Sequence, residues 1–215
     1  YYYNIYVDAD GPHGPGNLDM VDSDDTGSSS NDEITKVSNP RFSWSKPTDQ
    51  GPSGGIAGTK NYYYWAVTHR GSGSILDDGY TSGTEVRIPS QSDNVYTFHV
   101  HAQDQVGNWG NWSTLNFTID TIAPDVPSII YPSVNQHITY TTPAFDWSGS
   151  DNSGGSGIWR YHLLVEYDTS GTNLIDEYPT SSYYQTPSSQ ALAAGGEGYD
   201  WELWAYDIAG NSSSG

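Results

Sequence analysis

The chain has 215 residues, enough for one or two domains of ~100 residues with modest cores. Twenty-six acidic against 7 basic side chains give a formal charge of −19, which repels nucleic acid and anionic membranes and favours cations. The absence of cysteine excludes disulfides, thiolate zinc sites and cysteine nucleophiles, and no apolar run reaches the ~20 residues of a membrane helix.

Period-2 alternation of apolar and polar residues runs along the chain, and helical periodicity is almost absent. Residues 3–8 (YNIYVD) put Tyr3, Ile5 and Val7 on one face. An acidic Gly/Ser-rich insert follows at 18–35, and then residues 40–45 (PRFSWS) place Phe42 and Trp44 on an inward face. A glycine-rich turn at 53–56 precedes a strand near Tyr62 to Val67. The next strand carries Tyr96, Phe98, Val100 and Ala102 inward, and residues 115–120 (LNFTID) form the last strand before a short, proline-stiffened linker at 124–127. The pattern then begins again. Residues 143–148 (PAFDWS) repeat the Phe and Trp as Phe145 and Trp147, a Gly-rich turn at 154–158 leads to Tyr161 to Tyr167, and the final alternating run holds Tyr199, Trp201, Leu203 and Ala205.

The repeat is gapless. Residues 96–108 (YTFHVHAQDQVGN) align on 199–211 (YDWELWAYDIAGN) at a separation of 103, and 3–8 align on 115–120 at a separation of 112. The two separations together equal the chain length of 215, so Tyr1 of a following copy falls where residue 216 would stand. The second domain lacks its last strand, and the matching strand stands at the other end of the chain. An unfilled edge exposes backbone groups and an apolar groove. Filling it with Tyr3, Ile5 and Val7 buries three large side chains at ~1.5–3 kcal/mol each, beside Tyr199, Trp201 and Leu203. Two arrangements satisfy this register: donation of residues 1–8 to another copy, which generates an open filament, or covalent continuation of a longer tandem. Tyr1 in place of an initiator methionine marks a processed product or a segment of something longer.

The Pro-x-Phe-x-Trp strand (Pro40, Phe42, Trp44; Pro143, Phe145, Trp147) and the Ala-x-Asp-x-x-Gly-Asn turn (Ala102, Asp104, Gly107, Asn108; Ala205, Asp207, Gly210, Asn211) are joined by the stretch Phe117 to Pro124. Together they resemble the Ig-like and fibronectin III-like repeat modules of large bacterial surface proteins. The insert at 18–35 is similar to the stretch that opens many adhesin repeats. The resemblance implies an all-β fold of two tandem Greek-key sandwiches, divided as a donor strand 1–8, a first domain 9–120 and a second domain 121–215 completed by a strand from another copy. It also implies spacer, stalk or fibre roles on the cell surface, without naming a ligand.

Candidate chemistry is concentrated in the insert. Asp22, Asp24, Asp25, Asp32 and Glu33 are hard oxygen donors in a flexible loop, the donor type that Ca2+ takes in sets of ~6–8. Asp8, Asp10 and Asp120, at the ends of the modules, form a second carboxylate group, or else cap turns. Trp109 and Trp112 are candidates for stacking on a sugar or a partner. Asn111, Asn116 and Asn211 begin glycosylation triplets. Catalytic patterns fail on inspection. Asp25-Thr26-Gly27 has no second Asp-Thr/Ser-Gly on an apolar strand, Gly51 to Gly55 has no following helix to make a nucleophile elbow, and His99 and His101 have Glu202 and Trp204 at their repeat positions. The expected function is a non-enzymatic, extracellular structural subunit assembled head to tail, with copies of itself as partners. The competing class is an adhesin module that binds carbohydrate or protein.

Overall fold

Alternating residues become strands in both halves of the computed structural model, which describes residues 2–51, 62–195 and 198–214. The turn at 53–56, Ser53 of the elbow-like pattern, Tyr1 and Gly215 lie outside the described residues. The chain divides into two units, Tyr1–Thr121 and Ile122–Gly215.

In the first unit the strands are β1 (Gly16–Met20), β2 (Ile34–Thr35), β3 (Arg41–Ser45), β4 (Tyr63–His69), β5 (Ile75–Thr81), β6 (Glu85–Arg87), β7 (Asn94–Ala102) and β8 (Ser113–Ile119). They form a three-stranded sheet, β1-β3-β6, and a five-stranded sheet, β2-β8-β7-β4-β5. Inward residues of both sheets share one core. Phe42 of β3 stacks on Phe98 of β7 at 4.3 Å and meets Phe117 of β8 edge-on at 4.8 Å, while Trp44 packs edge-on against Tyr63. Offset and edge-on ring pairs of this kind add to simple area burial. The insert ends by pairing β2 in parallel with β8, Ile34 opposite Thr118.

The second unit comprises β9 (Ser128–Tyr131), β10 (Ala144–Ser148), β11 (Ile158–Tyr167), β12 (Asn173–Glu177), β13 (Tyr183–Gln185) and β14 (Tyr199–Asp207). Its sheets are β13-β10-β9 and β12-β11-β14. Phe145, Trp147, Tyr161, Leu163, Val165, Ile175 and Leu203 make the core. β11 and β14 pair along their whole length, from Ile158 opposite Asp207 to Tyr167 opposite Tyr199.

The two units differ at one sheet edge. β7 is flanked by β4 and β8, whereas β14, its repeat, is flanked by β11 alone among the described strands, apart from a single bridge between Tyr206 and Ser212. Burial follows from this. Tyr96 and Phe98 are 1% and 0% exposed because Phe117 and its neighbours on β8 cover them, while their repeats Tyr199 and Trp201 are only partly buried. Residues 2–7 belong to no strand, and Tyr3, Ile5 and Val7 are 87%, 89% and 81% exposed in the single chain. Phe98→Ala removes the central ring of the first core, with an expected cost of about 3–5 kcal/mol. Chemical denaturation followed by fluorescence checks this: the first unit's transition moves to lower denaturant and the second unit's stays in place.

Candidate functional site

Two groups of carboxylates mark the first unit, the acids of the insert and a set near its entry, and the local fold gives each acid a different task. The insert leaves β1 through a turn in which the Asp24 and Asp25 N–H groups both donate to the Val21 carbonyl. Asp24 then turns toward β3. Its Oδ2 accepts from the Arg41 N–H at 2.8 Å and Nε at 2.9 Å, its Oδ1 accepts from Arg41 Nη2 at 3.0 Å, and Arg87 lies 3.3 Å away. These arginine contacts hold its carboxyl below the usual range. Asp24 is thus committed to fixing the insert on the sheet, and the Thr35 hydroxyl, which donates to the Asp24 carbonyl, ties the far end of the loop to the same point.

Asp25 faces the other acids. It is 5% exposed, its Oδ2 accepts the Glu33 N–H at 3.2 Å, and its Oδ1 is buried without a hydrogen-bond partner. Burial, reinforced by the charges of Asp32 and Glu33, pushes its carboxyl up to about 6. Glu33 is raised as well, by burial first and then by Asp19 and Asp32. Its backbone sits at φ +56°, an uncommon region for a side-chain-bearing residue. Asp32 accepts from Ser28 Oγ at 3.0 Å and from the Ile34 N–H at 3.1 Å. Asp22 is exposed. Asp32 and Glu33 thus act on Asp25 through their charge, and Asp19 of β1, which sequence spacing did not single out, acts on Glu33, but among the described residues the five sequence candidates do not bring three carboxylate oxygens within 4.8 Å of one another.

The second group is Asp8, Asp49 and Asp104, each offering a carboxylate oxygen within 4.8 Å of the others. Asp104 is the turn aspartate that follows β7. Its Oδ1 accepts N–H groups of Val106, Gly107 and Asn108 at 3.0, 2.7 and 2.8 Å, and Asn108 Nδ2 donates to its Oδ2 at 2.8 Å and to the Asp8 carbonyl at 3.2 Å. Gly107, at φ +104°, is required for that turn. The second unit repeats it: Asn211 donates through N–H and Nδ2 to the two oxygens of Asp207, both at 2.8 Å. In sequence, Asp120 and Asp207 stand at the repeat positions of Asp8 and Asp104, and Asp151 stands one residue before that of Asp49. Asp10, exposed, contributes only an N–H to Asp8 Oδ1 at 3.2 Å.

The aromatic candidates form a cross-strand row. Tyr80, Tyr64 and His101 are directly opposite one another on β5, β4 and β7. His101 stacks on Trp112 at 3.7 Å and on Trp109 at 4.3 Å. Burial lowers the pKa of His99 and His101; His99 Nε2 lies 3.0 Å from Thr68 Oγ1 and His101 Nδ1 lies 3.4 Å from the Gly110 carbonyl. Trp109 and Trp112 remain 38% and 47% exposed. Of the glycosylation candidates Asn111 and Asn116 are exposed, while the Asn211 side-chain amide is held by Asp207.

Residues 13–121 match the family model described as bacterial Ig-like domain. Exoglucanase B of Cellulomonas fimi is 28% identical over 178 residues, covering 80% of this chain and 14% of that protein. Endoglucanase B of Cellulomonas fimi is 30% identical over 129 residues, covering 55% and 11%. The chain thus spans a small fraction of either relative's length. Among solved structures, the fibronectin(III)-like modules of Clostridium thermocellum CbhA align over 92% of this chain and 89% of theirs, at TM-score 0.47 and 14% identity. A two-domain fibronectin type III segment of chicken tenascin aligns over 95% of both chains, at TM-score 0.37 and 13% identity.

The two neighbouring aspartates have opposite pH signatures. Asp24, with a depressed pKa, contributes stability above the ordinary carboxylate range, and that contribution is lost as pH falls through the depressed value. Asp25, raised from 3.8 to about 6, costs stability as pH rises through that window and costs nothing below it. Asp24→Asn is expected to destabilise the first unit by about 1–3 kcal/mol at pH 7. Asp25→Asn, in chelator, is expected to stabilise it at pH 7 and to match the parent near pH 3.5. Urea denaturation across this pH range measures both.

Proposed function

The chain belongs to the bacterial Ig-like domain family, and from that premise we propose that it is a non-catalytic, extracellular spacer: two successive modules of a head-to-tail array within a larger polysaccharide-acting or surface protein. The observation that carries this reading is the uncovered edge of β14. Tyr199 and Trp201 are only partly buried where Tyr96 and Phe98 are fully buried, and residues 3–8 are the repeat of the strand that makes the difference. In the proposed array, a segment of that sequence completes each module from the repeat that follows it. Asp8, at the end of the segment, then stands at every junction beside the counterparts of Asp49 and Asp104. The small share of the glucanase relatives that the chain covers supports a module within a longer protein, and their names supply the polysaccharide context. Completion by the N-terminal strand of a separate copy, giving a non-covalent filament, uses the same groove.

The test extends the chain after Gly215 with a second copy of residues 1–12. Burying Tyr3, Ile5 and Val7 in the β14 groove is expected to raise the second unit's stability by several kcal/mol, on the order of 1.5–3 per side chain before ordering costs. Ile5→Asp within the added segment is expected to erase the gain. An extended chain that melts like the parent overturns the reading. Sedimentation of the parent separates the two routes: concentration-dependent growth that stops on deletion of residues 1–8 indicates exchange between copies, and a monomer indicates covalent continuation.

A second reading is favoured by the exposed aromatic row of the first unit. Indole and phenol rings with polar edges suit the faces of a neutral glycan, and the charge of −19 disfavours an anionic one. On this reading Trp112→Ala is expected to abolish retardation of the protein in a gel containing soluble β-glucan; equal mobility of parent and variant removes it.

A further inference from the structure

The pairing of β11 with β14 slips by one residue at one end. Ile158 stands opposite Asp207 and Arg160 opposite Tyr206, so Trp159 is a bulge residue, whereas the counterparts β4 and β7 of the first unit pair without a shift. A bulge bends its strand and re-aims the side chains around it. Here three rings stand about the Arg160 guanidinium, whose carbon lies 4.0 Å from the centroid of Trp159, 4.7 Å from that of Tyr178 and 5.5 Å from that of Tyr206. Arg160 is the only lysine or arginine in residues 122–215. Yet among the described residues its guanidinium meets no carboxylate, and its Nε is buried without an acceptor. Asp176 of the adjacent strand is engaged with His162 at 2.8 Å. Ring faces attract the cation but take none of the hydrogen bonds that its N–H fork offers, so the desolvation of that donor is not offset within the unit.

We infer that Arg160 anchors a saccharide site, and that its ligand is a neutral glycan chain bearing isolated carboxylate side groups, such as single uronic acids. The planar fork of an arginine matches a carboxylate through two parallel N–H···O bonds, and in this unit Arg160 alone supplies the opposite charge. Phenol and indole rings beside it suit the apolar face of a pyranose, and Tyr178 is 47% exposed. A glycan with a carboxylate on every sugar is disfavoured, because the chain's charge of −19 repels a polyanion. A single carboxylate on a neutral chain meets Arg160 at contact distance, while the more distant acids act on it through screened solvent. An acidic peptide brings the carboxylate without the pyranose face. The site lies wholly in the second unit, and rests neither on the array nor on the aromatic row of the first unit.

The experiment titrates the full chain, by calorimetry and tryptophan fluorescence, with a xylo-oligosaccharide carrying one glucuronic acid side group, with the same oligosaccharide unsubstituted, and with a short acidic peptide. Saturable binding of the substituted sugar is expected, at least tenfold tighter than either of the others and weakening as NaCl is raised. Arg160→Gln is expected to lower that affinity at least tenfold and to erase the preference for the substituted sugar. Arg160→Lys keeps the charge without the fork and is expected to fall between the two; thermal melting shows that each variant is folded. Tyr178→Ala is expected to weaken the substituted sugar several-fold, whereas Trp112→Ala, in the first unit, leaves it unchanged. Absence of saturable binding overturns the site, as do equal affinities for the two oligosaccharides, a preference that survives Arg160→Gln, tighter binding of the acidic peptide, or loss of binding in Trp112→Ala.

Discussion

The closing strand of each sandwich is the contact on which the rest depends. β7 and its repeat β14 carry inward apolar faces, and each has one edge paired with an earlier strand, β4 or β11. In the first unit β8 covers the other edge, and the result is a continuous aromatic core from Phe42 through Phe98 and Phe117. In the second unit the same core strand carries Trp201, which packs edge-on against Phe145 at 5.1 Å but is only partly buried. A strand edge that no described strand covers thus leaves ring surface exposed, and such an edge is a template for another strand.

Charge is handled by placement rather than by pairing. With 7 basic side chains against 26 acidic ones, most carboxylates have no cation to meet, and the buried ones rely on backbone donors. Asp104 and Asp207 use their own following turns, with N–H groups and an Asn amide satisfying both oxygens. Asp24 takes both nearby guanidiniums. Asp25, one residue on, meets no guanidinium; it accepts the Glu33 N–H and feels the charges of Asp32 and Glu33. Adjacent residues of one type thus acquire opposite electrostatic roles because the turn directs their side chains to opposite sides of the loop.

The outward sheet face follows a further logic. Tyr64 and His101 sit between Tyr80 of β5 on one side and the two indoles of the segment between β7 and β8 on the other, and in the second unit His162 occupies the register position of Tyr64 and stacks between Tyr178 at 4.4 Å and Trp204 at 5.0 Å. Cross-strand ring pairs of this kind stabilise a sheet whose face is otherwise open to water. They also leave ring surface accessible, so structural and recognition roles share the same residues.

The sequence by itself determined the fold class and the two-module repeat, because a period of 2 and a gapless alignment are one-dimensional properties. The inward set Phe42, Trp44, Phe98 and Phe117, and its counterparts Phe145, Trp147 and Trp201, followed from the same alternation. What only the tertiary structure decided is which acids face one another. Asp22, Asp24, Asp25, Asp32 and Glu33 are equivalent as a string, yet Arg41 and Arg87 capture Asp24, Asp22 is left exposed, and Asp19 enters from β1. Likewise Asp8, Asp49 and Asp104 are widely spaced in the chain and meet only because the turn after β7 brings Asp104 to the entry of the unit. The reason is physical: burial and secondary-structure period are set by neighbours along the chain, whereas the convergence of charges depends on register and loop path, which no local pattern encodes.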